Sequence, residues 1–267
     1  MDSNSSHPAK HFISKSIDQF FISVQDFFKF ILQFFKEVFR PPYEFQEVIR
    51  QCYLVGYKSL FLITVTGFIT GIVFTKHSRP SLASFGATSW LPSLIGIAVI
   101  KALAPLITAL ICAGKVSSRF GAELGSMKVT EQIDAMEVSA INPFKFLVIT
   151  RVIASTLMIP VLVMYSAFVG LGGSFLNVHK NEKTSIVMFI HDAFTKITFN
   201  EFGSSILRSI LFGFTIGIVG CYYGYNASKG TEGVGKAANI AVVVAMFLIF
   251  IEEMIIVQGF NLIFPDQ

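Results

Sequence analysis

Apolar residues dominate this chain in five long runs, at about 55–75, 91–113, 146–175, 205–225 and 238–264. Each meets or approaches the ~20 residues an α-helix needs to cross a hydrocarbon core. Lipid offers no water to satisfy backbone N–H and C=O groups, so such runs are predicted to be helices. The third is long enough to tilt, or to kink at Pro160. A different pattern precedes them. Between Phe20 and Phe39, Phe, Val, Ile and Leu recur at helical spacing, while Gln25, Asp26, Lys29, Gln33, Lys36 and Glu37 take the other side. This amphipathic helix carries too many charges to span. It is predicted to lie in the interface plane and to stop at Pro41-Pro42. The pattern therefore predicts an all-α membrane protein in three parts. Residues 1–11 are polar and expected to be disordered. Residues 12–50 form an interfacial amphipathic helix and elbow, and residues 51–267 a domain of five transmembrane helices. Glycines spaced by four, Gly67/Gly71, Gly213/Gly217 and Gly220/Gly224, would let helices approach closely.

Composition narrows the class. The chain is 53% hydrophobic and 14% charged, with a mean hydropathy of +0.64. Soluble domains carry about 25% charged residues. A net charge of +4 raises the question of nucleic acid, but the cations lie between the apolar runs and form no basic stripe. The positive-inside bias accounts for them: with a cytoplasmic N-terminus, inner segments hold about 13 Lys and Arg and outer segments about 5. Five spans then place the C-terminus outside. The three cysteines, Cys52, Cys112 and Cys221, form no CxxC pair, and the five histidines show no ligand spacing. Neither a disulfide framework nor a metal site is expected. The first 19 residues lack the apolar stretch of a signal peptide.

The polar stretch 114–142 between the second and third runs is too long for a simple turn and too well patterned for a linker. Thr130 is placed to cap a short helix, with Glu131 near its positive end. Ile133 and Met136 share one face, and Glu131, Asp134 and Glu137 recur every three residues on another. Such an acidic edge suits either docking of a partner or plain solvation. Gly230 to Lys236 fits the GxxxxGK start of a P-loop, but Ala237 replaces the Ser or Thr that would hold magnesium, and a membrane helix precedes it. Lys101, Arg151, Arg208, Glu252 and Glu253 fall within the apolar runs. Arg151 and Arg208 lie near helix ends, where they could snorkel. Lys101, Glu252 and Glu253 lie deeper, and could line a polar path or form an internal pair of Lys101 with Glu252 or Glu253. No catalytic constellation is present: no GxSxG, HExxH or DxD-type cluster.

The run PLITAL from Pro105, AGKV from Ala113, ELGSMKVTEQIDAMEV from Glu123 to Val138, and Asn142-Pro143 resembles the MlaE (YrbE) family of ABC permeases. GYNASKGTEGVGKAA from Gly224 to Ala238 and AVVV from Ala241 agree, and the resemblance covers about residue 45 to the C-terminus. It implies a homodimer of five-span subunits in a bacterial inner membrane. It also implies a cytoplasmic ABC ATPase that binds ATP and magnesium, and a periplasmic MCE-domain lipid-binding protein. The implied activity is movement of phospholipid or related lipid between inner and outer membranes. The permease itself would hold no cofactor, no metal and no nucleic acid. Segment 123–137 matches the family's coupling helix, which makes Glu123, Glu131, Gln132, Asp134 and Glu137 the expected ATPase-coupling residues. Ala104 stands where the family has Gly, Lys101 where it has Arg or a similar charge, and Glu252-Glu253 doubles a region that commonly holds one acid. The buried charges motivate one alternative, a secondary transporter or channel built on Lys101 and Glu252/Glu253.

Overall fold

The computed structural model describes residues 8–41 and 43–263, in two units, Met1–Tyr43 and Glu44–Gln267. The first unit is one helix, α1 (Pro8–Val38). Phe21, Phe28, Leu32, Phe35 and Phe39 are exposed, while Lys29 pairs with Asp26 and Arg40 with Glu37. The stretch expected to be disordered falls partly on residues 1–7, outside the described residues, and α1 already includes 8–11. Pro42 also lies outside them.

The second unit holds five helices long and apolar enough to cross a membrane: Phe45–Ser84, Thr88–Val129, Phe144–Glu182, Phe199–Tyr225 and Thr231–Phe260. The first span consists of α2 (Phe45–Val55) and α3 (Tyr57–Ser84), joined at Gly56, whose N–H bonds Cys52 O at 2.8 Å. Its first turns fall within the segment read as an elbow. The second span is α4 (Leu91–Ile97), a π-helical turn (Ala98–Leu103), α5 (Ala104–Cys112), a second π turn (Ala113–Ser117) and α6 (Ser118–Val129). The supposed loop therefore starts about fifteen residues late, since 114–129 continue the span. Lys115, Arg119, Glu123 and Lys128 depress hydropathy there, yet Val116, Phe120 and Leu124 are fully buried by helix packing.

A short helix, α7 (Gln132–Val138), leads to a third π turn (Phe144–Ile149) and α8 (Thr150–Glu182), which contains Pro160. α9 (Ile186–Thr195) was not foreseen: its ten residues are too few for a span. α10 (Phe199–Tyr225) and α11 (Thr231–Ile263) complete the bundle. Phe264, the predicted end of the fifth run, lies outside the described residues. The spans alternate in direction. One end carries α7 and the 226–230 turn; the other carries α9.

Helices meet where side chains are small. A Cβ on Gly67 or Gly71 would run into the backbone of Ser166 or Gly170, joining α3 to α8. A Cβ on Gly213 would meet Ser155 O at 2.8 Å, and one on Gly217 Val152 Cα at 3.0 Å, joining α10 to α8. Gly220 and Gly224 face Ser117 and Phe120, joining α10 to the second span. Lipid tails are as apolar as Leu, so this close van der Waals contact is what holds helices together. Gly71→Ala is expected to destabilise the purified chain by about 1–3 kcal/mol through overpacking. Gly203→Ala, where the added carbon meets nothing within 4 Å, should be neutral or stabilise by up to about 1 kcal/mol. Thermal unfolding in detergent measures both.

Candidate functional site

The two ends of the bundle carry different chemistry. At one end α7 sits between two left-handed residues, Glu131 (φ 58°) and Ala140 (φ 59°). Non-glycine residues hold this conformation at a cost of about 1–3 kcal/mol each, and such strain clusters at functional segments. Thr130 does not cap α7. Its hydroxyl donates to Ser126 O at 2.8 Å and closes α6, while Glu131 takes the N-cap position. Ile133 is buried and Met136 half-buried, as their shared face predicts. Glu131, Gln132, Asp134 and Glu137 are all exposed, and Lys128 Nζ pairs with Asp134 at 2.9 Å. Val138, 90% exposed, and Ile141 add an apolar tip beside the acidic edge.

Glu123 lies elsewhere. It accepts from Arg119 Nε at 2.6 Å and from Arg151 Nη2 at 3.4 Å. Arg151 is buried, donates to Leu147 O at 2.9 Å, and stands over the Phe120 ring at 5.9 Å. It does not snorkel; it fastens α8 to α6. Four of the five expected coupling residues thus share the exposed edge, and the fifth belongs to the joint behind it.

Toward the other end lies a polar cluster inside the spans. Pro105 has no N–H, so it cannot bond the Lys101 carbonyl four residues back. The preceding turn is π-helical, with Ala104 N–H reaching Val99 O. α10 supplies the missing donors: Ser205 Oγ donates to Ile100 O at 2.9 Å and Arg208 Nη1 to Lys101 O at 3.1 Å. Arg208 Nη1 also pairs with Glu253 Oε1 at 2.7 Å, and Lys101 Nζ with Glu201 Oε1 at 2.8 Å. Glu201 in turn accepts from Thr198 N at 3.1 Å, capping α10. Thr215 donates to Glu252.

The expected pairing of Lys101 with Glu252 or Glu253 is therefore replaced by Lys101–Glu201 and Arg208–Glu253. Arg208 is only 3% exposed and does not snorkel. The geometric reason is that at the level of Lys101 the second span packs against α10, whose charges are therefore nearer than those of α11. Sequence reasoning missed Glu201 and Ser205 and undervalued Arg208. The signals were present: Thr198 to Glu201 reads as a capping box, Pro105 orphans a carbonyl, and 201, 205 and 208 fall on one helical face. Arg208 Nε, Glu252 Oε2 and Glu253 Oε2 are buried without a protein partner.

Beside this cluster a cavity of about 590 Å³ opens between α3, α8, α9 and the start of α10. Phe68, Phe168, Phe175, Phe189, Ile190 and Phe202 form its walls. α9 is fixed there by buried Phe189, by Ala193 against Gly96, and by Ser93 Oγ donating to Asp192 O at 2.9 Å. Among the described residues no group of three or more His, Cys, Asp or Glu is placed to hold a metal ion.

Residues 48–258 match the family model described as permease MlaE. A probable ABC transporter permease protein of Rickettsia prowazekii is 32% identical over 251 residues, covering 94% of this chain and 96% of the relative. One from Synechocystis is 31% identical, covering 83% and 84%, and one from Pyropia yezoensis 29%, covering 91% of each.

The cluster's central pair is testable. Arg208→Met leaves Glu253 buried and unpaired and should destabilise the chain by about 3–5 kcal/mol. Arg208→Met combined with Glu253→Met should recover most of that loss. A double-mutant cycle of unfolding in detergent measures the coupling.

Proposed function

The chain belongs to the MlaE permease family and is the membrane-spanning permease subunit of an ABC transporter, and we propose that it moves phospholipid or a related lipid between the inner and outer membranes of a bacterial envelope, driven by a separate ATPase. The observation that carries this reading is the division of the bundle. A strained, acid-edged helix projects at one end, and an apolar cavity of about 590 Å³ lies toward the other. An acyl chain needs such a wall, because each CH₂ moved out of an apolar site costs about 0.8 kcal/mol.

In this reading the N-terminus and α7 face the cytoplasm, and α9 faces the periplasm. The ATPase docks on Glu131, Gln132, Asp134 and Glu137, with Val138 beside them. ATP and magnesium are bound by that partner. Only Gly230 of the GxxxxGK match lies in the turn before α11; Thr231 to Lys236 already belong to that helix, which supports assigning nucleotide binding to the partner. Closure of the motor would push α7 and hence α6, whose packing on α10 and α11 and whose Glu123–Arg151 joint to α8 carry the displacement toward the cavity. A second copy of the chain would complete a homodimer, and a periplasmic MCE-domain protein would receive or deliver the lipid. The channel reading, built on Lys101 and Glu252/Glu253, loses two of its free charges, since Lys101 pairs with Glu201 and Glu253 with Arg208, which leaves it only Glu252, held by Thr215.

Two outcomes test the proposal. Glu131→Lys with Asp134→Lys should abolish co-purification of an ATPase while leaving membrane insertion intact. Unchanged co-purification would contradict the docking assignment. Ala167→Phe, which fills the cavity wall, should lower ATP-driven lipid transfer in reconstituted vesicles while ATPase binding persists. Undiminished transfer would remove the cavity from the lipid path.

A further inference from the structure

A second pocket, of about 200 Å³, lies at the α7 end where the α2–α3 joint meets α6. Lys58, Ser59, Lys115, Arg119 and Glu123 line it, over a floor that includes Phe120. Its charges do not balance. Glu123 is the one acid among the lining residues, and it is already engaged by Arg119 and by Arg151 behind it. Four cations therefore share one carboxylate. Lys115 Nζ donates to the Lys58 carbonyl, which ties the second span to the first. The Lys58 ammonium itself makes no hydrogen bond or ion pair among the described residues.

Ser59 gives an independent signal. The residue is 1% exposed, it lines the pocket, and its hydroxyl has no partner. A buried hydroxyl left unpaired is costly unless something else accepts its proton. Two further features set the depth. Tyr53 and Tyr57 are exposed and stacked with ring centroids 5.0 Å apart, the first about one turn before the joint and the second immediately after it. Tyrosines in this position mark the headgroup layer. From there Phe61, Val65, Ile69 and Val73 form an exposed apolar stripe along α3 at intervals of four.

We infer that this cleft binds the phosphate of an anionic phospholipid. Lys58, Lys115 and Arg119 meet the charge, Ser59 donates to a phosphate oxygen, and the acyl chains lie along the α3 stripe. Basic pockets between spans take anionic headgroups for this reason. The site lies at the opposite end of the unit from the cavity assigned to transported lipid, so the inference goes beyond the proposed function. A lipid held here would lock the first span to α6, directly behind the coupling hairpin.

Delipidated full-length chain in detergent, titrated with phosphatidylglycerol, phosphatidylcholine and inorganic phosphate and followed by native mass spectrometry, tests the inference without any ATPase. Phosphatidylglycerol is expected to bind more tightly than phosphatidylcholine. Lys58→Gln should weaken phosphatidylglycerol about fivefold and leave phosphatidylcholine unchanged. Ser59→Ala should also weaken phosphatidylglycerol without loss of folding, because its hydroxyl has no protein partner to lose. Lys229→Gln, exposed at the same end but outside the pocket, should change nothing. Equal binding of the two lipids, or unchanged phosphatidylglycerol binding in both Lys58→Gln and Ser59→Ala, overturns the site. Displacement of the lipid by an equal concentration of inorganic phosphate overturns the lipid assignment in favour of a soluble anion.

Discussion

Proline at position 105 offers no N–H to the Lys101 carbonyl four residues back inside a membrane span, and the packing of three spans is arranged around how the carbonyls of this turn are satisfied. In water the carbonyl would be hydrated at little cost. In hydrocarbon it must find a protein donor. The π turn at Ala98–Leu103 and the Ser205 and Arg208 side chains answer that need. Arg208 then requires an anion, which Glu253 supplies from the fifth span. One absent N–H thus links the second, fourth and fifth spans in a fixed register. Polar groups freed in this way are also the means by which a membrane protein can keep charge at depth, beside a cavity that is otherwise greasy.

The same solvent logic explains the glycines. Apolar side chains gain nothing by leaving lipid for one another, so the helices are held by close approach of backbone to backbone. Gly71 against Gly170 and Gly217 against Val152 show the pattern. These contacts pack α8 closely against both α3 and α10. In the proposed function that close packing would let a push from one end reach the other.

The five spans and the helical form of the Phe-rich N-terminal segment were legible in the sequence because each rests on a local hydropathy pattern. The short acid-edged helix was legible too, from the spacing of Ile133 and Met136 against Glu131 and Asp134. What was not legible depended on neighbours distant in sequence. Residues 114–129 read as loop because their charges and glycines lower hydropathy, yet Gly121 and Gly125 are what lets α6 pack closely on α11. Lys101 pairs with Glu201, and not with Glu252 or Glu253, because α10 intervenes. Thr130 resembled an N-cap but closes the preceding helix, since the chain reverses sharply at Glu131 through a left-handed conformation that propensity alone does not foresee. α9 escaped notice because its ten residues, His191 and Asp192 among them, are too few to span, although Ser185 at its N-cap was a readable start signal.

These features compose an account in which the two ends of one helical bundle do different work. In the proposed function the hairpin end would meet a nucleotide motor inside the cell, and the α9 end would handle lipid outside it. Sidedness is therefore the claim on which the account turns. In a chain whose Cys52, Cys112 and Cys221 are replaced, a single cysteine at Val138 or at His191 can be challenged with a membrane-impermeant maleimide in spheroplasts and in inverted vesicles. The account predicts that position 138 is modified in inverted vesicles and protected in spheroplasts, with position 191 showing the reverse. Modification of position 138 in intact spheroplasts would contradict it.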